Sequence, residues 1–224
     1  MALTKFNYNS FDVTPVASKA LAFNSDADGL TTAAEGSMVL IKTITASSDA
    51  TISFVNGTSD VVLDNTYPAY LFKIINVHPS VDNRDFDFNV SIDSGSNYNV
   101  AKTSTYHYNY HNEAGTTAAG VEYNAGADLA QGTAFQEIME NVGGDNDQSG
   151  CGEIWLFNPS STTFIKQFIA TTNDYAAVDY NKNAYIAGYA NTTSAVDAVQ
   201  FKFNGSGSAN IDAGTIKLYG IKDS

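Results

Sequence analysis

Hydrophobic and polar positions alternate along most of this chain, most regularly over residues 85–93. There Phe86, Phe88, Val90 and Ile92 fall on one face of an extended segment, and Asp85, Asp87, Asn89, Ser91 and Asp93 fall on the other. Successive side chains on a strand point to opposite sides, so this period of two predicts a β-strand. Runs of similar character occupy residues 38–45, 51–55, 69–77, 103–110, 153–157, 164–170, 184–189, 198–203 and 215–219. Turn formers separate them. Asn56-Gly57 suits a turn that needs positive φ, Pro79 removes a ladder donor after His78, and residues 93–97 and 204–208 are rich in Ser, Gly and Asn.

Residues 128–142 depart from this alternation. Leu129, Phe135, Ile138, Met139 and Val142 are spaced like one face of an amphipathic helix lying on a sheet, and Gly143-Gly144 is a suitable stop. Residues 1–35 keep no period, and Pro15 and the polar stretch 24–29 interrupt them. About ten short strands and one helical pattern predict an all-β fold, an antiparallel two-sheet sandwich of jelly-roll type with one short helix. The predicted organisation is an extended N-terminal arm or edge segment over residues 1–35 and one β-sandwich domain over 36–224.

Composition narrows the function. Among 224 residues, 43% are hydrophobic and only 16% charged, the latter well below an ordinary globular protein. Thirteen Phe and 13 Tyr supply enough apolar area to argue against disorder. The net charge is −13, with 11 Lys and Arg and no cationic cluster, so neither nucleic acid nor an anionic membrane is an expected partner. Cys151 is the sole cysteine, which excludes an intrachain disulfide and a cysteine-based zinc site. The N-terminus lacks the basic-then-apolar layout of a signal peptide, and residues 16–23 are too short and interrupted to span a bilayer. Synthesis in a cytoplasm without anchoring is expected.

The sharpest chemical motif is Asn24-Ser25-Asp26-Ala27-Asp28-Gly29, continuing to Glu35. Asn24, Asp26, Asp28 and Glu35 follow calcium-loop spacing, with oxygen ligands at alternate places, a turn glycine and a twelfth-position carboxylate. Asn in the first place and Thr31 where an aliphatic residue usually packs leave an Asp/Gly-rich turn as the other reading. A second acidic loop, 144–150, has alternating oxygens but no closing carboxylate. His107 and His111 share a strand face, about 13 Å apart at that spacing, too far to bind one zinc. Tyr106, Tyr108 and Tyr110 occupy the opposite face. No catalytic residue is assigned: a nucleophile elbow and a phosphate-cradling loop are absent, although 24 acidic residues leave a glycan-cleaving carboxylate pair open. The tyrosines suit sugar platforms and strand propensity equally.

Several stretches resemble a family of virion structural proteins of marine bacteriophages, cyanophages among them. They include Phe11-Asp12-Val13-Thr14-Pro15, Ala22-Phe23-Asn24-Ser25-Asp26-Ala27-Asp28-Gly29 and Ser94-Gly95-Ser96-Asn97-Tyr98-Asn99-Val100. Tyr110-His111-Asn112-Glu113-Ala114-Gly115, Leu156-Phe157-Asn158-Pro159-Ser160-Ser161-Thr162-Thr163, Ala187-Gly188-Tyr189-Ala190-Asn191-Thr192-Thr193 and Asn210-Ile211-Asp212-Ala213-Gly214-Thr215-Ile216-Lys217-Leu218-Tyr219-Gly220 belong to the same resemblance. It implies a non-enzymatic particle component, a capsid decoration or a tail- or fibre-associated protein. Its expected partners are other virion proteins and further copies of itself, with a trimer the expected oligomer. The alternative is a carbohydrate-binding receptor-recognition module for a host surface glycan. No cofactor is expected beyond the calcium candidate.

Overall fold

A computed structural model describes residues 36–223, except 116, 117, 205, 206 and 208, together with two short strands nearer the N-terminus. Those two, β1 (Leu21–Phe23) and β2 (Leu30–Thr32), pair antiparallel within the segment expected to be an arm. The strands that follow are β3 (Met38–Thr45), β4 (Ile52–Val55), β5 (Ala69–Pro79), β6 (Arg84–Ser91), β7 (Lys102–Asn112) and β8 (Ala119–Tyr123). The chain continues through β9 (Gln136–Val142), β10 (Gly150–Phe157), β11 (Lys166–Ala176), β12 (Tyr180–Ala190), β13 (Ala198–Asn204) and β14 (Ile211–Ile221).

The fold is all-β and its strand pairs are antiparallel. One run of strands is ordered β3-β14-β5-β10-β11-β12-β7-β8, and a shorter one β9-β6-β13-β4. A single rung, Ala176↔Val142, joins them into one nearly closed sheet. Rings from the shorter run meet rings from the longer one across the interior: Phe54 lies 5.4 Å from Phe72, Phe201 5.5 Å from Phe72, and Phe88 5.1 Å from Phe168. These edge-on contacts lie in the sandwich- or barrel-like core, into which Ile138, Met139, Ile154, Ile186 and Leu218 also pack.

The helix expected over residues 128–142 is not present, and the described residues contain no helix at all. Gln136–Val142 instead forms β9, paired with β6. Register shifts on either side of Phe86 put Ile138 and Met139, consecutive in sequence, both at 0% exposure. A bulge mimics helical spacing because two neighbouring residues then point inward. Asn141 has φ 58°, a conformation no helix interior accepts.

The most regular strand is also unusual. On β6 the polar positions are buried along with the apolar ones: Asp87, Asn89 and Ser91 are at 4%, 0% and 0% exposure. Asn89 survives burial because its amide donates to the carbonyls of Tyr98 (2.7 Å) and Thr133 (3.1 Å) and accepts from Lys102 Nζ (2.6 Å). Burial of polar groups is tolerated when their bonds are made inside the protein. Lys166 is held similarly, donating to the carbonyls of Ser161, Phe164 and Thr192 at 2.6, 3.0 and 3.1 Å.

Close strand packing makes one glycine obligatory. A Cβ at Gly188 on β12 would lie 2.5 Å from the Thr103 carbonyl oxygen and 2.8 Å from the Phe168 ring. Gly188→Ala is expected to lower the unfolding free energy by about 1–3 kcal/mol through forced separation of β12 from β7. Urea denaturation measures it, and an unchanged midpoint would contradict this packing.

Candidate functional site

The outward face of the longer run carries the exposed chemistry. Strand parity places Glu153, Trp155 and Phe157 of β10 outward, because Ile154 and Leu156 between them are buried. Register then builds a cross-strand row from Leu40 on β3 through Tyr219, Leu71 and Trp155 to Ile169 on β11. Leu40 and Ile169 remain 52% and 48% exposed, while Leu71 between them is at 1%, so the two ends of the row have no apolar cover among the described residues.

Trp155 is fixed in place. Its indole N–H donates to Glu153 Oε1 (3.1 Å), and Glu153 Oε2 accepts from Lys73 Nζ (2.7 Å). The lysine bond, then the indole bond, hold the Glu153 carboxyl below its ordinary range. The Trp155 and Phe157 rings lie nearly parallel, 13° apart with centroids at 6.3 Å. A second flat pair, His107 of β7 and Tyr185 of β12, is stacked at 5.3 Å and also 13°.

Amides flank these rings. Asn173 and Asn183 face each other across β11 and β12, and Asn181 faces Tyr175 one step along. Two grooves of about 400 and 450 Å³ run over this region and share Cys151 and Asn173 in their linings. At the other end of the strands Gln131 donates to Thr103 Oγ1 (2.7 Å) and accepts from Asn191 (2.6 Å).

The interior holds a second constellation. Asp174 of β11 lies opposite Lys182 of β12 in register, but Lys182 Nζ bonds Glu140 Oε2 of β9 at 3.0 Å. Both Asp174 carboxylate oxygens are buried without a hydrogen-bond partner among the described residues, as are one oxygen each of Asp87 and Glu137. Burial is the first cause of every shift here. It pushes Asp87 up to about 7, Asp174 to about 8 and Glu137 to about 9, and it raises Asp85 as well. Burial pushes the Lys102 ammonium down to about 7, against the attraction of Asp87. Such groups can store protons, but none of these carboxylates lines either outer groove.

The residues singled out in the sequence fall as follows. Asn24, Asp26, Asp28 and Glu35, the calcium candidates, lie outside the described residues. Loop 144–150 is closed by Gln148, whose N–H donates to the Asp145 carbonyl (2.9 Å) and whose side chain accepts from Asp145 N–H (3.1 Å). Among the described residues no three His, Cys, Asp or Glu side chains are grouped to hold a metal ion. His107 and His111 do share the outer face, and Tyr106, Tyr108 and Tyr110 lie on the other, where Tyr108 and Tyr110 both donate to Glu122 at 3.0 Å. Sequence reasoning did not single out Trp155, Glu153 or Asn173. Their period-two spacing was visible, but not which side of the strand would stay uncovered. No family model, curated protein or solved structure matches this chain.

Proposed function

We propose that this chain is a non-enzymatic structural component of a bacteriophage particle, a capsid decoration or tail- or fibre-associated protein, built on a jelly roll. The observation that carries the reading is strand order. Set aside β1 and β2, and treat β7-β8 and β11-β12 as two inserted hairpins. The eight strands left, counted in chain order, lie side by side as 1-8-3-6 (β3-β14-β5-β10) and 2-7-4-5 (β4-β13-β6-β9). That is the order of two interleaved Greek keys, an architecture shared by viral coat proteins and lectins. Both insertions add to one edge of the 1-8-3-6 half; they widen its outer face and contribute Phe168, Ile186 and Tyr106 to the core.

The sequence resemblance to virion proteins of marine phages supports the same reading, as does the small share of charged residues, 16%. The chain acts by contact, with other virion proteins and with copies of itself, as a trimer. Residues 1–35 contribute Phe6, Tyr8, Phe11 and Phe23. Burying two such rings against a neighbour is worth about 3–6 kcal/mol before ordering costs.

Quantitative mass spectrometry of purified particles is expected to find the protein at a symmetric copy number. Deleting residues 2–23 is expected to leave the melting transition in place and abolish both trimerisation and incorporation. Light scattering and particle analysis of the two proteins decide it: a full-length monomer at micromolar concentration, with incorporation unaffected by the deletion, defeats the proposal.

A further inference from the structure

We propose that the outer face of the longer strand run binds a neutral polysaccharide chain, with Trp155 as its central platform. The inference stands on that face alone, independently of any place in a particle.

Three features of the face select this ligand class. First, its rings come in near-parallel pairs, Trp155 with Phe157 and Tyr185 with His107. A pyranose presents a C–H face that packs on such rings, and the Glu153 bond to the indole N–H holds the platform still, so little ordering cost falls on binding. β10, which carries Trp155 and Phe157, and β12, which carries Tyr185, are two strand spacings apart, about 10 Å. That interval suits alternate units of an extended sugar chain. Second, amides dominate beside the rings: Asn173, Asn181 and Asn183 line the grooves with Tyr175, and one groove also holds Glu113 and the other the Lys73–Glu153 pair. Planar amides both donate and accept, as paired sugar hydroxyls require. Third, the charges beside the platform are few and of both signs: Lys73 is bonded to Glu153, and Lys217 of β14 lies opposite Lys73 in register. An anionic glycan or nucleic acid finds no cation cluster here, and a protein interface core would be depleted of such polar groups.

The ligand track therefore runs across the strands, from Trp155 over Ile169 and Thr171 to Tyr185, with the Asn173 groove beside it. The chain supplies its own reporters, because Trp155 is its only tryptophan and Cys151, exposed in both grooves, its only cysteine.

The test titrates the full-length protein with β-linked hexasaccharides of glucose, mannose and galactose, following tryptophan emission and the rate of Cys151 alkylation by iodoacetamide. At least one is expected to give a saturable emission change at or below millimolar concentration and to slow alkylation. Calorimetry on Trp155→Ala and on Asn173→Ala, each checked for an unchanged circular dichroism spectrum, is expected to show affinity reduced at least about tenfold. No saturable response to any of the three, or equal affinity in both variants, overturns the proposal. An emission change that instead follows protein concentration without saccharide, with doubled mass by light scattering, assigns the face to a second copy and overturns it as well. Particle incorporation is measured separately, so failure here leaves the structural role standing.

Discussion

Replacing Phe201 by alanine is expected to cost about 3–5 kcal/mol of unfolding free energy, the range for emptying a packed aromatic site. Phe201 sits on β13 at 0% exposure, and its ring centroid lies 5.5 Å from Phe72, 5.9 Å from Phe86, 6.3 Å from Phe54 and 6.5 Å from Phe88. Phe72 belongs to the opposing strand run, so this ring joins the two halves of the fold. The melting temperature is expected to fall by roughly 10 °C, at roughly 2–4 °C per kcal/mol for a chain this long. Urea titration of both proteins measures the loss. A cost below about 1 kcal/mol would mean that the two runs do not pack through this cluster.

The second large effect is a stability that declines as pH rises. Asp87, Asp174 and Glu137 are displaced upward from 3.8 or 4.5 to about 7, 8 and 9. Between the ordinary and the displaced values, the folded protein still holds protons that the unfolded chain has released. Raising pH through this window therefore favours unfolding, and the loss is complete only above the displaced values. Asp85 adds to the decline, its carboxyl raised by burial and by Glu140. Lys102 opposes it: displaced down to about 7 from 10.5, its folded form has already lost the proton that the unfolded chain keeps, which favours folding as pH rises above about 7.

Asp174→Asn isolates the carboxylate contribution, because the amide keeps the shape and removes the charge. Asp174 faces Lys182 from β12, Glu140 from β9 and Asp85 from β6, with Tyr106 of β7 also within their field. At a pH near 8 the variant is expected to be more stable than the parent by on the order of 1–3 kcal/mol, and near pH 5 to be equal or slightly weaker. Lys182→Met should act in the opposite sense, costing about 3–5 kcal/mol, since it leaves Glu140 without its bonded cation and Asp174 without the charge facing it. Melting curves across this range test both. A flat profile in the parent would remove the linkage altogether.

Much of the architecture was legible from local pattern. The runs at 38–45, 69–77, 103–110 and 198–203 became β3, β5, β7 and β13 with small changes at their ends. Period-two alternation reports a backbone whose side chains point to opposite faces, and no distant contact is needed to read it. Glycine and asparagine turns were legible for the same reason: Ser94 and Gly95 adopt φ of 58° and 79° where a turn was expected. The segment at 128–142 was misread because bulges are set by the partner strand. The short β8, with exposed Val121 and Tyr123, carried too little pattern to be distinguished from a loop.

By itself the sequence determined the all-β class, most strand positions and the opposition of His107 to Tyr106 along β7, all consequences of near-neighbour geometry. Strand order, the burial of Asp87 and Asn89 on the polar side of β6, and the exposure of Trp155 were decided only in the tertiary structure. Alternation says that a strand has two sides, but which side meets water depends on what the rest of the chain lays over it. The hairpins β7-β8 and β11-β12 widen the outer face, and β7 brings Lys102 to Asn89. Contacts between residues far apart in the chain assign each face its medium, and with it the ionisation of the buried acids and the surface left to bind a partner.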